Sequence, residues 1–344
     1  MRIPIERASA WRGQEQRAPS AAWTYQLSPR EVAALKAALD RTRQKEGRLP
    51  PLERWDFEVP ALSSLVKELQ RQLVAGCGVA LVRGWPVVED TEEDAKYAFW
   101  ALGRALGLPL SQNAKGDVLG HVYDQGLRFG DKNVRGYQTS ARLRYHTDLA
   151  DVVGLMCVRP AMKGGVSLLA SAFAIYNVML QEKPEYLDIL CRGFPYDRLG
   201  EEGPGEAPVS ERVPVFSEYE GMLSTRYIRS YIDSAQLKSG RTLTEEEVAA
   251  LDYFESIADR EDMRLEMRLA PGDMQFLNNY AIVHSRTAFE DEPNPARKRL
   301  MLRLWLRLPG KFPVAPWLRT QYGNVGVLRA DLLRPHEQGG EPPP

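Results

Sequence analysis

Tyr145-His146-Thr147-Asp148 is the stretch on which the reading of this chain turns. His146 and Asp148 stand two residues apart. On a β-strand that spacing points both side chains to one face, roughly 7 Å apart at about 3.3 Å per residue. An imidazole and a carboxylate on one face, joined by a distant second histidine, make the two-histidine-one-carboxylate set that holds non-haem Fe(II) with open coordination positions. The chain has four histidines, His121, His146, His284 and His336. A bare His-x-Asp is a weak motif, and a simple buried His–Asp hydrogen bond competes with the metal reading. The neighbouring sequence decides between them.

Residues 299–307 read Arg-Leu-Met-Leu-Arg-Leu-Trp-Leu-Arg. Leu300, Leu302, Leu304 and Leu306 fall on one face, and Arg299, Met301, Arg303, Trp305 and Arg307 on the other. This strict period-two alternation predicts a strand whose leucine face packs on a core. Arginines mixed with Met and Trp suit the wall of an anion-binding pocket, because Arg pairs bidentately with carboxylates. A solvent-facing edge carrying charges is the plainer alternative. Further upstream, Ala270-Pro271-Gly272-Asp273 is turn chemistry, Met274-Gln275-Phe276-Leu277 a short strand, and Ala281-Ile282-Val283-His284 another. His284 thus falls near the end of a buried strand, where a lone His is more often a satisfied core residue than a ligand.

Taken together, these segments resemble the taurine dioxygenase / 2,4-dichlorophenoxyacetate dioxygenase (TauD/TfdA) family of Fe(II)- and 2-oxoglutarate-dependent oxygenases. The resemblance rests on Tyr-His-Thr-Asp at 145–148, Gly-Gly-Val-Ser at 164–167 and Phe-Leu-Asn-Asn at 276–279. It continues through His-Ser-Arg-Thr-Ala-Phe-Glu-Asp at 284–291 and Arg-Leu-Met-Leu-Arg at 299–303. It implies that His146, Asp148 and His284 are iron ligands. It also implies that Arg299 and Ser167 hold the distal carboxylate of 2-oxoglutarate. Ser167 stands where Thr is common in the family, which keeps the hydroxyl. Arg303 matches a position that often meets an acidic group on the substrate. The implied cofactors are Fe(II), the cosubstrate 2-oxoglutarate and O2, with succinate and CO2 as co-products. Hydroxylation of an unactivated C–H bond is the default outcome. Desaturation, ring closure, or cleavage of a sulfonate or sulfate ester are the alternatives. A halogenase is disfavoured, because chloride needs the coordination position that Asp148 fills.

The 344 residues carry a net charge of −1, with 44% hydrophobic and 26% charged residues. That is ordinary for a globular protein and gives no electrostatic case for nucleic acid or a membrane surface. No apolar run of about 18 residues exists, so no membrane span is expected. Residues 1–20 lack the apolar core of a secretory signal. Cys77, Cys157 and Cys191 are few, odd in number and far apart, which suggests reduced thiols in a cytoplasmic protein. The expected partner is a small, anionic or amino-acid-like molecule; homo-oligomerisation stays open.

Ser28-Pro29-Arg30-Glu31 predicts a capped helix to about residue 44, and amphipathic spacing predicts helices over 61–75 and from 91 to about 106. Val79–Val82 reads as a buried strand. Two polar, turn-rich segments, 111–116 and 136–140, precede the metal strand, and Asn113, Gln138 and Thr139 are their candidate substrate contacts. A helix is expected over 171–182, a mobile loop and candidate lid over 198–210, a hairpin from 213–216 and 221–227, and a capped helix from Thr244 to about 258. Short strands with helical insertions imply an α+β fold built on a double-stranded β-helix (jelly-roll, cupin-like) barrel flanked by helices. The expected organisation is a flexible N-terminus over 1–20, a single catalytic domain over 21–337 and a disordered tail over 338–344. An iron oxidase without 2-oxoglutarate, a metal-binding scaffold on a degenerate barrel and a protein-modifying hydroxylase are the competing functions. Arg299, Ser167 and the complete triad argue against the first two.

Overall fold

The computed structural model describes residues 3–17, 22–46, 51–52, 58–87, 92–128, 134–318, 325–328 and 332. The tail expected to be disordered, 338–344, lies outside them. The strands, in chain order, are β1 (Thr24–Gln26), β2 (Val79–Arg83), β3 (Leu108–Pro109), β4 (Leu119–Val122), β5 (Leu143–His146), β6 (Val152–Arg159), β7 (Lys163–Gly164), β8 (Ser167–Ser171), β9 (Phe216–Tyr219), β10 (Met222–Thr225), β11 (Arg264–Met267), β12 (Met274–Asn278), β13 (Ile282–Arg286), β14 (Phe289–Glu290) and β15 (Leu300–Arg307). The α-helices are α1 (Pro29–Glu46), α2 (Ser63–Val74), α3 (Glu92–Leu106), α4 (Ala172–Glu182), α5 (Pro184–Arg192), α6 (Arg229–Ser239) and α7 (Glu245–Ala258).

The helix starts follow from local chemistry. At α1 the Ser28 amide donates to the Glu31 carboxylate at 2.7 Å and the Glu31 amide donates to Ser28 Oγ at 3.3 Å. The same reciprocal box opens α7, between Thr244 and Glu247. Each satisfies amides that the first helical turn leaves unpaired. Ser171 caps α4 by accepting from the Ala174 amide at 3.0 Å. The expected hairpin is present, but its first strand starts three residues later than the sequence suggests, while its second lies within the expected 221–227. Its turn is Glu220-Gly221, both at positive φ, as a two-residue hairpin turn requires. The Val-Pro-Val-Phe run at 213–216 contains Pro214, which has no N–H for a ladder, so pairing starts only at Phe216.

β1, β2, β12, β6, β15 and β3 lie side by side in that order, and β4 also pairs with β15. β1 runs parallel to β2; the other pairings of this sheet are antiparallel. A second, antiparallel sheet has the order β11-β8-β13-β5. The double-stranded β-helix, or jelly-roll, barrel expected from the sequence is therefore corrected. Among the described residues both sheets are open, and no ladder joins the ends of either one. The α+β class stands. The edges are shortened or covered instead of joined: β3 is two residues long and ends on Pro109, and α6 packs on β5.

All eight residues of β15 are buried. Leu302, Leu304 and Leu306 enter the main core. Helix α3 lies on this face, and a Cβ at Gly103 would come within 2.4 Å of Leu304 Cδ1, so the close approach needs a glycine. The opposite face of β15 looks into a cavity between the sheets. At the N-terminus, Trp11 is buried and its indole N–H donates to the Cys77 carbonyl at 2.8 Å. All three cysteines are free. No helix among the described residues is long and apolar enough to cross a membrane.

Candidate active site

A cavity of about 300 Å3 is lined by residues from both sheets and from the start of α6. His146, Asp148 and His284 stand in its wall, with one donor atom from each within 4.8 Å of the others. His146 ends β5 and faces His284 of β13 directly across the antiparallel ladder, with ring centroids 4.2 Å apart. Asp148 is not on the strand, as the sequence reading supposed. The ladder stops at His146, and 147–148 are irregular. Thr147 is clasped by Tyr227: its amide donates to the Tyr227 carbonyl at 2.8 Å, and its Oγ1 accepts from the Tyr227 amide at 3.2 Å. The Asp148 amide donates to Asn279 Oδ1 at 3.0 Å, and its carbonyl accepts from Arg226 Nη1 at 2.6 Å. These bonds turn the carboxylate toward the two rings, to 3.7 Å from His284 Nε2.

The donors are prepared for a cation. His146 Nδ1 lies 2.9 Å from the Arg144 carbonyl, and an N–H there leaves Nε2 with its lone pair. Burial lowers the pKa of His146, and it lowers that of His284 to about 3, with His146 as the next cause. Both rings are thus held neutral, the form that ligates metal. For Asp148, burial alone would raise the pKa, but the Arg303 guanidinium foremost outweighs it and holds the carboxylate below its ordinary value. Asp148 Oδ2 is buried without a hydrogen-bond partner. A buried unpaired carboxylate oxygen beside two neutral imidazoles is unstable unless a cation completes it, so this donor set fits Fe(II) and forms a facial-triad-like metal site.

Arg299, Met301, Arg303 and Trp305 line the cavity, as the alternation of this strand predicts. Arg299 is buried, with its guanidinium carbon 5.0 Å from the centre of the Phe289 ring and its Nη1 without a partner. Burial lowers its pKa. Ser167 opens β8 in the same wall, its Oγ 3.3 Å from Gln275 Nε2. A buried guanidinium with an unused N–H, in one cavity wall with a hydroxyl, fits a carboxylate guest. Arg303 is buried between Tyr137 and Trp305, with Nη1 3.6 Å from Asp148 Oδ1.

Three polar residues not singled out by the sequence reading hold this wall. Gln112 Oε1 accepts from Arg303 Nε at 2.8 Å, and its Nε2 donates to the Arg303 carbonyl at 2.9 Å. Gly120, opposite Arg303 on β4, leaves room for it, since a Cβ there would sit 2.6 Å from Gln112 Oε1. Arg286 also stacks on Phe289, its guanidinium carbon 4.6 Å from the ring centre, with its pKa lowered to about 9 by burial and then by Arg299. Arg135 lines the cavity and donates to the Gln112 carbonyl at 2.9 Å. Of the predicted loop contacts, Asn113 folds onto its own loop, accepting from the Lys115 and Asp117 amides. Gln138 bonds the Arg135 amide and Gln125. Thr139 bonds the Gly136 carbonyl, and its own carbonyl accepts from Arg286. None of these three is in the cavity wall. Of the three, Arg286 lies in the 284–291 motif and Gln112 in the polar 111–116 segment, whereas Arg135 had no sequence signal.

Fold and site define a mononuclear non-haem metal enzyme. Residues 45–305 match the family described as "Taurine catabolism dioxygenase TauD, TfdA family", and the chain belongs to it. It is therefore an Fe(II)- and 2-oxoglutarate-dependent dioxygenase that consumes O2. Among curated relatives it is 35% identical to FR-33289 synthase of Streptomyces rubellomurinus over 321 residues, covering 92% of this chain and 94% of that one. Among solved structures it resembles asparagine oxygenase in complex with Fe(II), 2S,3S-3-hydroxyasparagine and succinate. That match has a TM-score of 0.60 at 15% identity, covering 85% of this chain and 98% of the other. The non-heme iron oxygenase OrfP in complex with Fe, succinate and (3S)-hydroxy-L-Arg gives a TM-score of 0.60 at 14% identity, covering 83% and 94%.

Proposed function

We propose that the protein hydroxylates an unactivated C–H bond of a small anionic or amino-acid-like substrate. In this reading His146, Asp148 and His284 hold Fe(II), and Ser167 and Arg299 hold the distal carboxylate of 2-oxoglutarate. The iron and cosubstrate together supply the oxidising chemistry, with succinate and CO2 released. The chain's own residues bind, orient and exclude water. The observation that carries the assignment is the unpartnered, buried Nη1 of Arg299 in the same cavity as the unpartnered Asp148 Oδ2. Both are costly unless their guests are present.

Arg303 is the proposed anion contact at the metal end. Asp148 and Gln112 fix its guanidinium and the two aromatic faces cover it, so a substrate anion meets a rigid cation. The asparagine- and arginine-derived products named for the two solved structures support an amino-acid-like substrate. The three free cysteines support a cytoplasmic setting. The test is a screen of amino acids, carboxylates and sulfonates for compounds that stimulate succinate release. Arg303→Leu is expected to weaken the stimulating compound more than 2-oxoglutarate, and to uncouple succinate formation from product, because a loosely held C–H bond misses the oxidant. A variant that loses 2-oxoglutarate affinity and keeps substrate affinity would remove the argument for an anionic substrate.

A further inference from the structure

Arg135 stands in the cavity wall with Tyr137 and Tyr231. Its Nη1 donates to the Gln112 carbonyl at 2.9 Å, and its Nη2 is paired with the carboxylate of Glu201. Gln112 is also the residue that fixes Arg303, so two guanidiniums of one cavity hang on a single glutamine. Glu201 comes from the 198–210 loop, whose base is closed by the Asp197–Val209 bridge and by the Arg198 amide donating to the Pro208 carbonyl. Glu201 itself is not in the cavity wall. Besides Arg135, its carboxylate is met by the Ala114 backbone N–H.

The side chains of Arg135 and Glu201 are only 11% and 17% exposed, so their pairing is largely desolvated. Two features work against the docked carboxylate. Burial raises the Glu201 pKa, and Glu202 adds repulsion to the same effect. Glu202 Oε2 is in turn buried without a hydrogen-bond partner. Arg135 is held charged against its own burial by Tyr231 and Glu201, so the cost of burial falls on the carboxylate of the loop.

We propose that Arg135 is a second anion-recognising residue of the substrate compartment, and that Glu201 occupies its guanidinium until an anionic group of the substrate displaces it. This rests on the anionic-substrate reading above. With Glu201 docked, Arg135 is neutralised and the cavity presents Arg303. With Glu201 displaced, it presents two cations joined through Gln112. The compounds able to make that exchange carry an oxyanion that can pair with a planar guanidinium, a carboxylate or a tetrahedral oxyanion. Neutral and cationic compounds cannot replace the lost charge. Displacement also releases the 198–210 loop from its hold on the cavity wall, so the choice of substrate and the position of the loop become one event.

The experiment is calorimetric titration of inorganic sulfate into the iron- and 2-oxoglutarate-loaded protein without oxygen, at fixed ionic strength. Glu201→Gln, which keeps shape and removes charge, is expected to tighten sulfate by at least about threefold, and Arg135→Gln to weaken it by at least about tenfold, as for a largely buried charge pair. Arg135→Lys should fall between wild type and Arg135→Gln. Weaker or unchanged binding in Glu201→Gln would overturn the proposal, since the pair would then be a strap that builds the site. The same holds for unchanged binding in Arg135→Gln. Sulfate binding that ignores Arg303→Leu but follows the Glu201 and Arg135 variants would sink the role of Arg303 and leave this inference standing.

Discussion

His284→Ala is expected to abolish 2-oxoglutarate turnover and to strip the protein of stoichiometric iron, with the fold intact. The imidazole is one of three donors within 4.8 Å of one another, and no fourth His, Cys, Asp or Glu joins that group among the described residues. Removing it leaves one ring and one carboxylate for the ion. Ligand-supporting contacts alone are typically worth ~10- to 100-fold in metal affinity or activity, and a direct ligand is worth more. His146→Ala should behave alike. His284 is buried, His146 half-buried, and both rings are neutral, so their loss removes a partly polar lining while Asp148 keeps Arg303 as its ion partner. The check is iron content and succinate release with iron and cosubstrate in excess, beside circular dichroism. Full turnover in either variant would end the metal assignment.

Arg299→Ala should weaken 2-oxoglutarate by at least about tenfold. Truncating one partner of a desolvated Arg–carboxylate pair costs about 2–5 kcal/mol, and each decade of affinity is about 1.4 kcal/mol. Arg286 lies on the same phenylalanine ring, with its pKa lowered by burial and then by repulsion from Arg299. It can recover a part of the lost attraction, which is why the lower bound is modest. Anaerobic titration of the cosubstrate into the iron-loaded variant measures the change. An unchanged affinity would place the clamp elsewhere, with Arg286 the first residue to examine.

The parts of this molecule that were legible from sequence are those set by short-range periodicity. β15 is plain from its alternation, β12 and β13 from apolar runs between turns, and the helix starts from their capping residues. Asp148 was placed correctly beside His146 for the wrong reason: the strand ends, and Tyr227, Asn279 and Arg226 do the aiming. Gln112 falls in the polar 111–116 segment, but its role was illegible because its partner Arg303 lies 191 residues away. Arg135 had no pattern at all, since its meaning depends on a loop that folds back from residue 201. Closure of a sheet is a long-range property too, and alternating strands alone do not decide between a closed barrel and two open sheets.

His146 belongs to the outermost strand of the four-stranded sheet, and the ring it faces belongs to the strand beside it. An ion gripped by both is a rivet through the sheet margin as well as a reagent. Binding that favours the closed margin adds RT ln(1 + [L]/Kd) to its stability, about 2.7 kcal/mol at a free concentration of one hundred times Kd. Backbone amides of Leu143–His146 should then exchange with deuterium more slowly once Fe(II) is added without oxygen, while those of Val79–Arg83 in the other sheet keep their rates. Equal slowing in both sheets would mean that the ion tightens the whole molecule. Slowing confined to the margin would make metal supply a determinant of how long that margin survives proteolysis and self-association in the cell.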